Sequence, residues 1–397
     1  MTSKNRFSQA TLAATAAAIV LVGLAACGRK DDAAGGGKSA TADNNVILIG
    51  HVAPLSGGDA HLGKDNENGA RLAADEINAA GGVKVGGKTY RVEIQGEDDK
   101  SDPREGTLVA QKLVDAGAIA VVGHLNSGSS IPASKIYKDA DMAQISPSST
   151  AVKYTEQGFK TTFRVVANDR QQGSAMANYA TDVMKAKTVA IIDDRTAYGQ
   201  GLADIVEEVV KSHGATVIAR EYTDNKASDF NAILTKIRST KPDVIVYGGM
   251  DDTAGPMAKQ IHQLGIKTPL VSGDGACSPE FIKLAGDGAD QLTCTRAGEA
   301  VERLPRGEQF MTRYQAKFGS PVQIYSPYSY DAVYVIVDAI KRAGSLDRAK
   351  VTAAVAATNY DGLTGHIAFD PKGDLLNGAI SVYKVQDGKL NFLSTER

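Results

Sequence analysis

Residues 118–134 read AIAVVGHLNSGSSIPAS, and this short run combines the signals of a strand, a turn and a helix. The apolar segment 118–122 is typical of a strand buried inside a parallel sheet. Helical spacing of apolar residues follows at 133–139. A buried strand that leads through a turn into a helix is the repeating unit of α/β folds with parallel sheets.

The turn in this unit is rich in small hydroxyl residues, among them Ser127 and Ser129. It lies where the carboxyl end of a strand meets the N-terminus of a helix. Free backbone N–H groups and the positive end of the helix dipole favour an anion there, and a serine hydroxyl adds a donor. Because no nearby residue can act as the base for a nucleophile, we expect this turn to hold a small carboxylate without transforming it.

Composition narrows the classes of protein that the chain can represent. Its 397 residues are 43% apolar, which is enough for a large core and for two or three domains. The formal net charge is −2, Trp is absent and aromatic residues make up only 6%. Without a block of like charge or a set of aromatic residues for stacking bases, we expect no nucleic-acid partner.

The first residues have the pattern of an export signal. Lys4 and Arg6 precede an apolar run at 10–26, which is short and alanine-rich for a membrane span. We therefore interpret residues 1–26 as a secretory signal peptide. The sequence LAAC at 24–27 resembles the bacterial lipobox, whose cysteine is lipidated, so Cys27 is the expected lipid anchor. The alternative is a chance cysteine beside an ordinary cleavage site.

Residues 27–45 are predicted to comprise the lipidated cysteine and a flexible tether. Export would leave Cys277 and Cys294 in an oxidising compartment, where a disulfide between them is expected. Two buried free thiols are the alternative. A metal site is a weaker interpretation, because no histidine stands at ligand spacing from either cysteine.

Strand and helix patterns alternate in two series, one from residue 46 and one from about residue 168. This rhythm predicts an α/β fold of two Rossmann-like lobes, each a parallel sheet with helices on both faces, joined by a hinge. The segment after residue 295 is expected to complete both lobes. We place lobe 1 at 46–167 and 298–374, and lobe 2 at 168–297 and 375–397. Ligands of open α/β sheets bind outside the carboxyl ends of the strands, which predicts a cleft between the lobes.

Several patterns that would indicate an enzyme fail in their context. Residues 82–89 (GVKVGGKT) fit the phosphate-loop pattern, but a helix precedes them and a strand follows, so we expect a loop leading into a hairpin. The six histidines show no ligand spacing and no carboxylate partner in the sequence. We interpret Asp98 and Asp99 as a solvated turn and not as a metal site. No catalytic residue, metal or cofactor is expected.

Four further segments follow predicted strands and therefore face the same cleft. They are SPSST at 146–150, DDRTAYG at 193–199, GGMDD at 248–252 and GDG at 273–275. Together they offer hydroxyl groups for an anion, a carboxylate at Asp274 for an ammonium group, and apolar or aromatic walls. This set of groups suits a free amino acid.

In this order the residues resemble the branched-chain amino acid (Leu/Ile/Val) binding proteins of ABC importers, which have the type I periplasmic-binding fold. The resemblance runs over nearly all of the chain from residue 46. Its most specific pieces are PLSG at 54–57, GA at 69–70, DEIN at 75–78, GHL at 123–125, PAS at 132–134, SP at 146–147, YGQGL at 198–202 and GG at 248–249. It implies a monomeric protein of the periplasm or cell envelope that captures a free amino acid. It also implies a permease partner in the cytoplasmic membrane.

The resemblance also implies roles for individual residues. Ser127 matches the residue whose hydroxyl and amide hold the ligand carboxylate, and Thr150 one that touches both carboxylate and ammonium. Ser148 matches a residue that offers its main-chain carbonyl to the ammonium. Tyr198 corresponds to an aromatic residue that closes over the ligand from the second lobe. Asp274 stands where the family commonly has an acidic partner for the ammonium, and it is one methylene shorter than Glu.

Other positions depart from the family pattern. Asn126 and Ser101 occupy places where close relatives carry a disulfide. Leu62 and Met250 replace aromatic residues of the side-chain pocket, and Leu125 and Asn126 are also expected to bind the ligand. These departures leave two alternatives open. One is the same fold with another small ligand, such as an amide, a urea-type compound or an aromatic acid, and the other is a ligand-sensing receptor subunit.

Overall fold

A computed structural model describes residues 45–397 of the chain. The predicted signal peptide, the predicted lipidation site Cys27 and nearly all of the predicted tether lie outside the described residues. Within 45–397, no helix combines the length and the apolar character needed to cross a membrane.

The described chain alternates between strands and helices. The strands are β1 (Val46–Ala53), β2 (Val83–Val85), β3 (Lys88–Asp98), β4 (Ala120–Gly123), β5 (Ala143–Ser146), β6 (Thr162–Arg164), β7 (Thr188–Asp193), β8 (Thr216–Tyr222), β9 (Val244–Gly248), β10 (Leu270–Ser272), β11 (Leu292–Arg296), β12 (Asn359–Asp361), β13 (His366–Ala368), β14 (Ile380–Gln386) and β15 (Lys389–Glu396). The α-helices are α1 (Ala60–Ala79), α2 (Pro103–Asp115), α3 (Ser127–Asp139), α4 (Asp169–Asn178), α5 (Ala197–Ser212), α6 (Asn231–Thr240), α7 (Asp251–Gln263), α8 (Pro279–Ala285), α9 (Gly307–Phe318), α10 (Ser326–Ala343) and α11 (Arg348–Ala356).

The first sheet has the strand order β2-β3-β1-β4-β5-β6 and is parallel except for β2. Successive side chains of a strand point to opposite faces, so a strand buried on both faces must be apolar throughout. Ile47 and Val122 pack into one apolar cluster with residues of α1 and α10. Val52 and Val121 pack into another with residues of α2 and α3. Helices therefore cover both faces of this sheet.

The second sheet has the order β15-β14-β11-β10-β9-β7-β8, in which β11, β10, β9, β7 and β8 are parallel, β14 is antiparallel to β11, and β15 is antiparallel to β14. Ile192 and Ile245 pack on one side against α6, α7 and α8. Ile191 and Val246 pack on the other side with residues of α4 and α5. The predicted α/β architecture of two lobes with mainly parallel sheets is confirmed.

The chain passes between the two groups of elements three times: between β6 and α4, between β11 and α9, and between β13 and β14. Helices α9–α11 pack with the first sheet and its helices, whereas β14 and β15 extend the second sheet. The last hundred residues therefore add to both lobes.

Local predictions met different outcomes. The hairpin at 82–89 is confirmed, because β2 pairs antiparallel with β3 where a phosphate loop would need a helix. Helix α3 begins at Ser127, although its apolar spacing predicted a helix only from residue 133. Helix α1 begins at Ala60, nine residues before the predicted start, because the polar run KDNEN at 64–68 conceals it.

A disulfide joins Cys277, next to the 3-10 turn after β10, to Cys294 in β11. Both cysteines are fully buried in the apolar cluster on one face of the second sheet. The bond fixes the loop that carries Asp274 to the neighbouring strand.

Candidate functional site

A cavity of about 700 Å³ lies between the two lobes, at the carboxyl ends of their strands. Loops after β4 and β5 line it from the first lobe, and loops after β7, β9 and β10 line it from the second. Of the residues that the sequence assigned to a ligand site, those on the cavity wall are Leu125, Asn126, Ser127, Ser148, Tyr198, Met250 and Asp274.

Two assigned residues, Thr150 and Leu62, do not line the cavity. Leu62 is fully buried in the apolar cluster that includes Leu125 and Tyr198, so it lies behind the wall. Thr150 is 1% exposed, and its carbonyl accepts the backbone N–H of Asp169 at the start of α4. In this structure the direct ligand contacts expected for these two residues therefore lack an accessible surface.

The start of α3 forms one wall of the cavity. Ser127 and Gly128 occupy its first two positions, where backbone N–H groups have no acceptor within the helix. The Ser127 hydroxyl oxygen accepts the backbone N–H of Ala151 at 3.2 Å, which leaves the hydroxyl proton for a ligand oxygen. Two amides, a hydroxyl and the helix dipole together make this wall a seat for an anion.

Serine hydroxyls hold this wall in place. The carbonyl oxygen of His124 accepts the hydroxyls of Ser146 at 2.8 Å and of Ser149 at 3.2 Å. The Ser148 hydroxyl donates to the Leu125 carbonyl oxygen, also at 3.2 Å. These bonds tie the loop after β5 to the backbone of the loop after β4, and they explain why hydroxyl residues follow β5.

Asp274 lies on the opposite wall and is 1% exposed. The Tyr198 hydroxyl donates to its Oδ1 at 2.8 Å, and the Tyr325 hydroxyl donates to its Oδ2 at 2.9 Å. Burial raises the pKa of the Asp274 carboxyl above its usual range. Within residues 45–397 no Lys, Arg or His side chain forms an ion pair with it. A buried carboxylate without a cation is costly, so a cationic ligand group fits this position.

The remaining wall is apolar and comes from both lobes. Leu125 from the first lobe, and Tyr198 and Met250 from the second, belong to one apolar cluster. Gly275 allows this packing, because a Cβ atom there would lie 2.7 Å from the Met250 sulfur. The cavity thus combines an anion seat, a buried carboxylate and an apolar surface.

Sequence reasoning missed Tyr325, which lines the cavity and holds Asp274. It also missed Asp65, a buried residue of α1. The Asp65 carboxylate accepts the backbone N–H groups of four consecutive residues, 323–326, at 2.7 to 3.1 Å. It thereby fixes the segment that carries Tyr325 into α10. No pattern in the sequence links residues so far apart.

The prediction that no histidine has a carboxylate partner was wrong. His124 Nδ1 lies 2.9 Å from Asp99 Oδ2, and its Nε2 lies 2.9 Å from the Tyr137 hydroxyl. Asp99 is fully buried, so its assignment to a solvated turn was also wrong. The partners are 25 residues apart in the sequence, and they meet because β3 and β4 both flank β1. Their contacts support the backbone behind the anion seat.

Comparison with known proteins defines the class of protein first. Residues 46–389 match the family model described as periplasmic binding protein, and the chain belongs to this family. Its members are substrate-binding proteins and not enzymes, and they act outside the cytoplasm.

Particular relatives are similar over almost their whole length. The Leu/Ile/Val-binding protein homolog 1 of Brucella abortus (strain 2308) is 35% identical over 359 residues, which cover 89% of this chain and 94% of the relative. A leucine binding protein from Thermotoga maritima has a TM-score of 0.82 at 29% identity, covering 88% of this chain and 98% of that one. A branched-chain amino acid transporter substrate binding protein from Streptococcus pneumoniae, in complex with isoleucine, has a TM-score of 0.80 at 28% identity. The match covers 88% of this chain and 99% of that one.

Proposed function

We propose that this protein captures leucine, isoleucine or valine in the cavity between its lobes and delivers it to the permease of an ABC importer. The observation that carries the proposal is the pair of opposed walls, with a helix N-terminus on one side and the buried carboxylate of Asp274 on the other. The names of the relatives in Brucella abortus and Thermotoga maritima support the same ligand class.

The geometry accommodates each part of a free amino acid. The ligand carboxylate accepts hydrogen bonds from the first-turn amides of α3 and from the Ser127 hydroxyl. The ammonium pairs with Asp274, and the main-chain carbonyl of Ser148 is a further acceptor for it. The aliphatic side chain packs against Leu125, Tyr198 and Met250. Pairing the ammonium with Asp274 offsets the cost of burying that carboxylate.

Binding and closure are coupled because the anion seat at Ser127 and the carboxylate of Asp274 belong to different lobes. With lobe 1 at 46–167 and 298–374 and lobe 2 at 168–297 and 375–397, Ser127 and Asp274 lie on opposite lobes. The ligand reaches both only when the lobes are together, so it shifts the population towards the closed form. The permease then receives a closed, loaded protein.

The N-terminal pattern supports a lipid-anchored form of this protein. In that form the signal peptide is removed, Cys27 becomes the first residue, and residues 27–45 connect the lipid to the folded part. The intact mass of the protein extracted from cell membranes tests this part: the mass of the chain from Cys27 plus the attached lipid is expected. A mature chain without lipid would contradict the anchor and leave the ligand proposal unaffected.

A thermal-shift panel of the twenty amino acids tests the ligand. Leucine, isoleucine and valine are expected to raise the Tm most, because they combine both charges with an aliphatic side chain. The panel includes isovalerate, an apolar acid without an ammonium group, which is expected to have little effect. No stabilisation by any amino acid would overturn the proposal. An equal effect of isovalerate and leucine would show that Asp274 does not pair with the ligand.

A further inference from the structure

Three carboxylates meet beside the cavity, across the gap between the lobes. Asp59 precedes α1 in the first lobe, whereas Asp251 and Asp252 are the first two residues of α7 in the second. One oxygen from each of the three lies within 4.8 Å of the others. Asp59 and Asp252 also line the cavity.

One carboxylate oxygen of Asp59 and one of Asp251 accept hydrogen bonds from neighbouring side chains. Asp59 Oδ2 accepts the Ser101 hydroxyl at 2.6 Å and the Asn126 side-chain amide at 3.2 Å. Asp251 Oδ2 accepts His61 Nε2 at 2.8 Å and also the Ser278 hydroxyl. These contacts fix the orientation of both carboxylates.

The other oxygen of each of these two residues is buried and has no partner. Asp59 is 6% exposed and Asp251 is fully buried, yet Oδ1 of each lacks a hydrogen bond. Asp194 is also buried with a free Oδ2, and its charge acts on both Asp59 and Asp252. Within the described residues, His61 is the basic side chain that bonds to the cluster. Several buried carboxylate oxygens that lack a hydrogen-bond donor form a negative site, which a bound cation would stabilise.

We propose that a hard divalent cation, calcium or magnesium, binds between the closed lobes on Asp59, Asp251 and Asp252. Carboxylate oxygens are the ligands that these cations prefer, and water completes their coordination. The sequence alone predicted no metal site. Asp59 lies about 190 residues before Asp251 and Asp252, so spacing within the sequence does not reveal the cluster.

A cation held by both lobes stabilises the closed form. By linkage, the bound cation raises the affinity for any ligand that also requires the closed form. The bound ligand raises the affinity for the cation by the same factor. This consequence rests on the proposed function, whereas binding of the cation alone does not.

The first experiment measures the effect of the cation on the Tm in the absence of any amino acid. The full chain is stripped with EDTA, and its Tm is recorded against calcium chloride and against magnesium chloride. Calcium or magnesium is expected to raise the Tm of the wild type by several degrees at millimolar concentration. The doubly substituted variant Asp59→Asn/Asp252→Asn should not respond. Asp287→Asn, which changes an exposed carboxylate of the second lobe, is the matched control and should respond like the wild type.

The double variant is expected to fold, because it removes two unpaired negative charges, and its Tm in EDTA should equal or exceed that of the wild type. A wild type that responds to neither cation overturns the proposal. An equal response of all three proteins also overturns it, because the cation would then bind elsewhere.

The second experiment measures leucine affinity by calorimetry in EDTA and in calcium. About tenfold tighter binding in calcium is expected for the wild type, with no change for the double variant. Unchanged leucine affinity in the wild type would overturn the bridging of the lobes. A calcium-dependent Tm with no leucine binding in either buffer would contradict the proposed ligand and leave the cation site standing.

Discussion

At the scale of single residues, Asp274 decides whether the cavity holds an ammonium group. Replacing Asp274 with Asn keeps the shape and removes the charge. Leucine affinity is expected to fall more than a hundredfold, about 3 kcal/mol, because the buried ammonium loses its counter-charge. Calorimetry measures this loss.

The control for Asp274 is Tyr325→Phe, which removes one hydrogen bond to the carboxylate and leaves its charge. That change is expected to weaken leucine binding by about 1 kcal/mol. Because burial raises the pKa of Asp274, the ligand-free Asp274→Asn protein should be at least as stable as the wild type. A leucine affinity that the Asp274→Asn change leaves intact would place the ammonium elsewhere.

His51 is expected to make the free energy of unfolding depend on pH in the acidic range. It is fully buried in β1, its Nε2 lies 3.3 Å from Asn66 Oδ1, and burial lowers its pKa from 6.5 to about 4. Between these two values the unfolded chain binds a proton that the folded protein excludes. The free energy of unfolding therefore falls as the pH drops from 6.5 towards 4, by about 3 kcal/mol in total.

The variant His51→Gln is expected to lose this part of the pH dependence. Urea unfolding at several pH values between 7.5 and 4.5 measures the slope of the unfolding free energy against pH. His213→Gln changes an exposed histidine and should keep the slope of the wild type. If His51→Gln and the wild type lose stability in parallel on acidification, His51 is not the group responsible.

At the scale of elements, helix α3 shows where sequence patterns stop being informative. Its apolar spacing begins only at residue 133, because the first turns contain serines. Serine usually competes with helical hydrogen bonds. Here the Ser130 hydroxyl bonds to the His124 carbonyl, and the Ser134 hydroxyl bonds to the Ile131 carbonyl. The partner of Ser130 is fixed only once the loop after β4 has folded, although the anion seat itself could be predicted from the strand–turn–helix order.

A single carboxylate joins helices α1 and α10. Asp65 accepts four backbone N–H groups at the start of α10, and an amide in its place has one oxygen instead of two. Asp65→Asn is expected to lower the free energy of unfolding by about 3 kcal/mol. Leucine affinity should fall as well, because Tyr325 loses its fixed position.

Denaturant titration and calorimetry together measure the effect of Asp65→Asn. The matched control is Asp75→Asn, an exposed position on the same helix, which is expected to change stability by no more than about 0.5 kcal/mol. Equal effects of the two substitutions would mean that Asp65 does not organise the start of α10.

At the scale of the whole molecule, the alternation of strands and helices was enough to predict two α/β lobes. The contacts across the cleft were out of reach of that reasoning. His61 and Asp251 are 190 residues apart, and Tyr325 and Asp274 are 51 apart. Apolar periodicity reports which face of an element is buried, but it does not report which polar side chains the folded lobes bring together.

The contacts between the lobes also define what closure must look like in solution. His61 of the first lobe bonds to Asp251 of the second, and Leu125 packs in one apolar cluster with Tyr198 and Met250. Opening the lobes exposes this cluster to water. A ligand that contacts both lobes binds only the closed form, so it shifts the population towards that form.

Small-angle scattering of protein lacking residues 1–44 measures the balance between the open and closed forms. With leucine, the radius of gyration is expected near about 20 Å, the value for a compact chain of this length. Without leucine it should be larger, and Asp274→Asn should stay at the larger value when leucine is added. A radius that leucine leaves unchanged in the wild type would mean that the lobes do not close around the ligand.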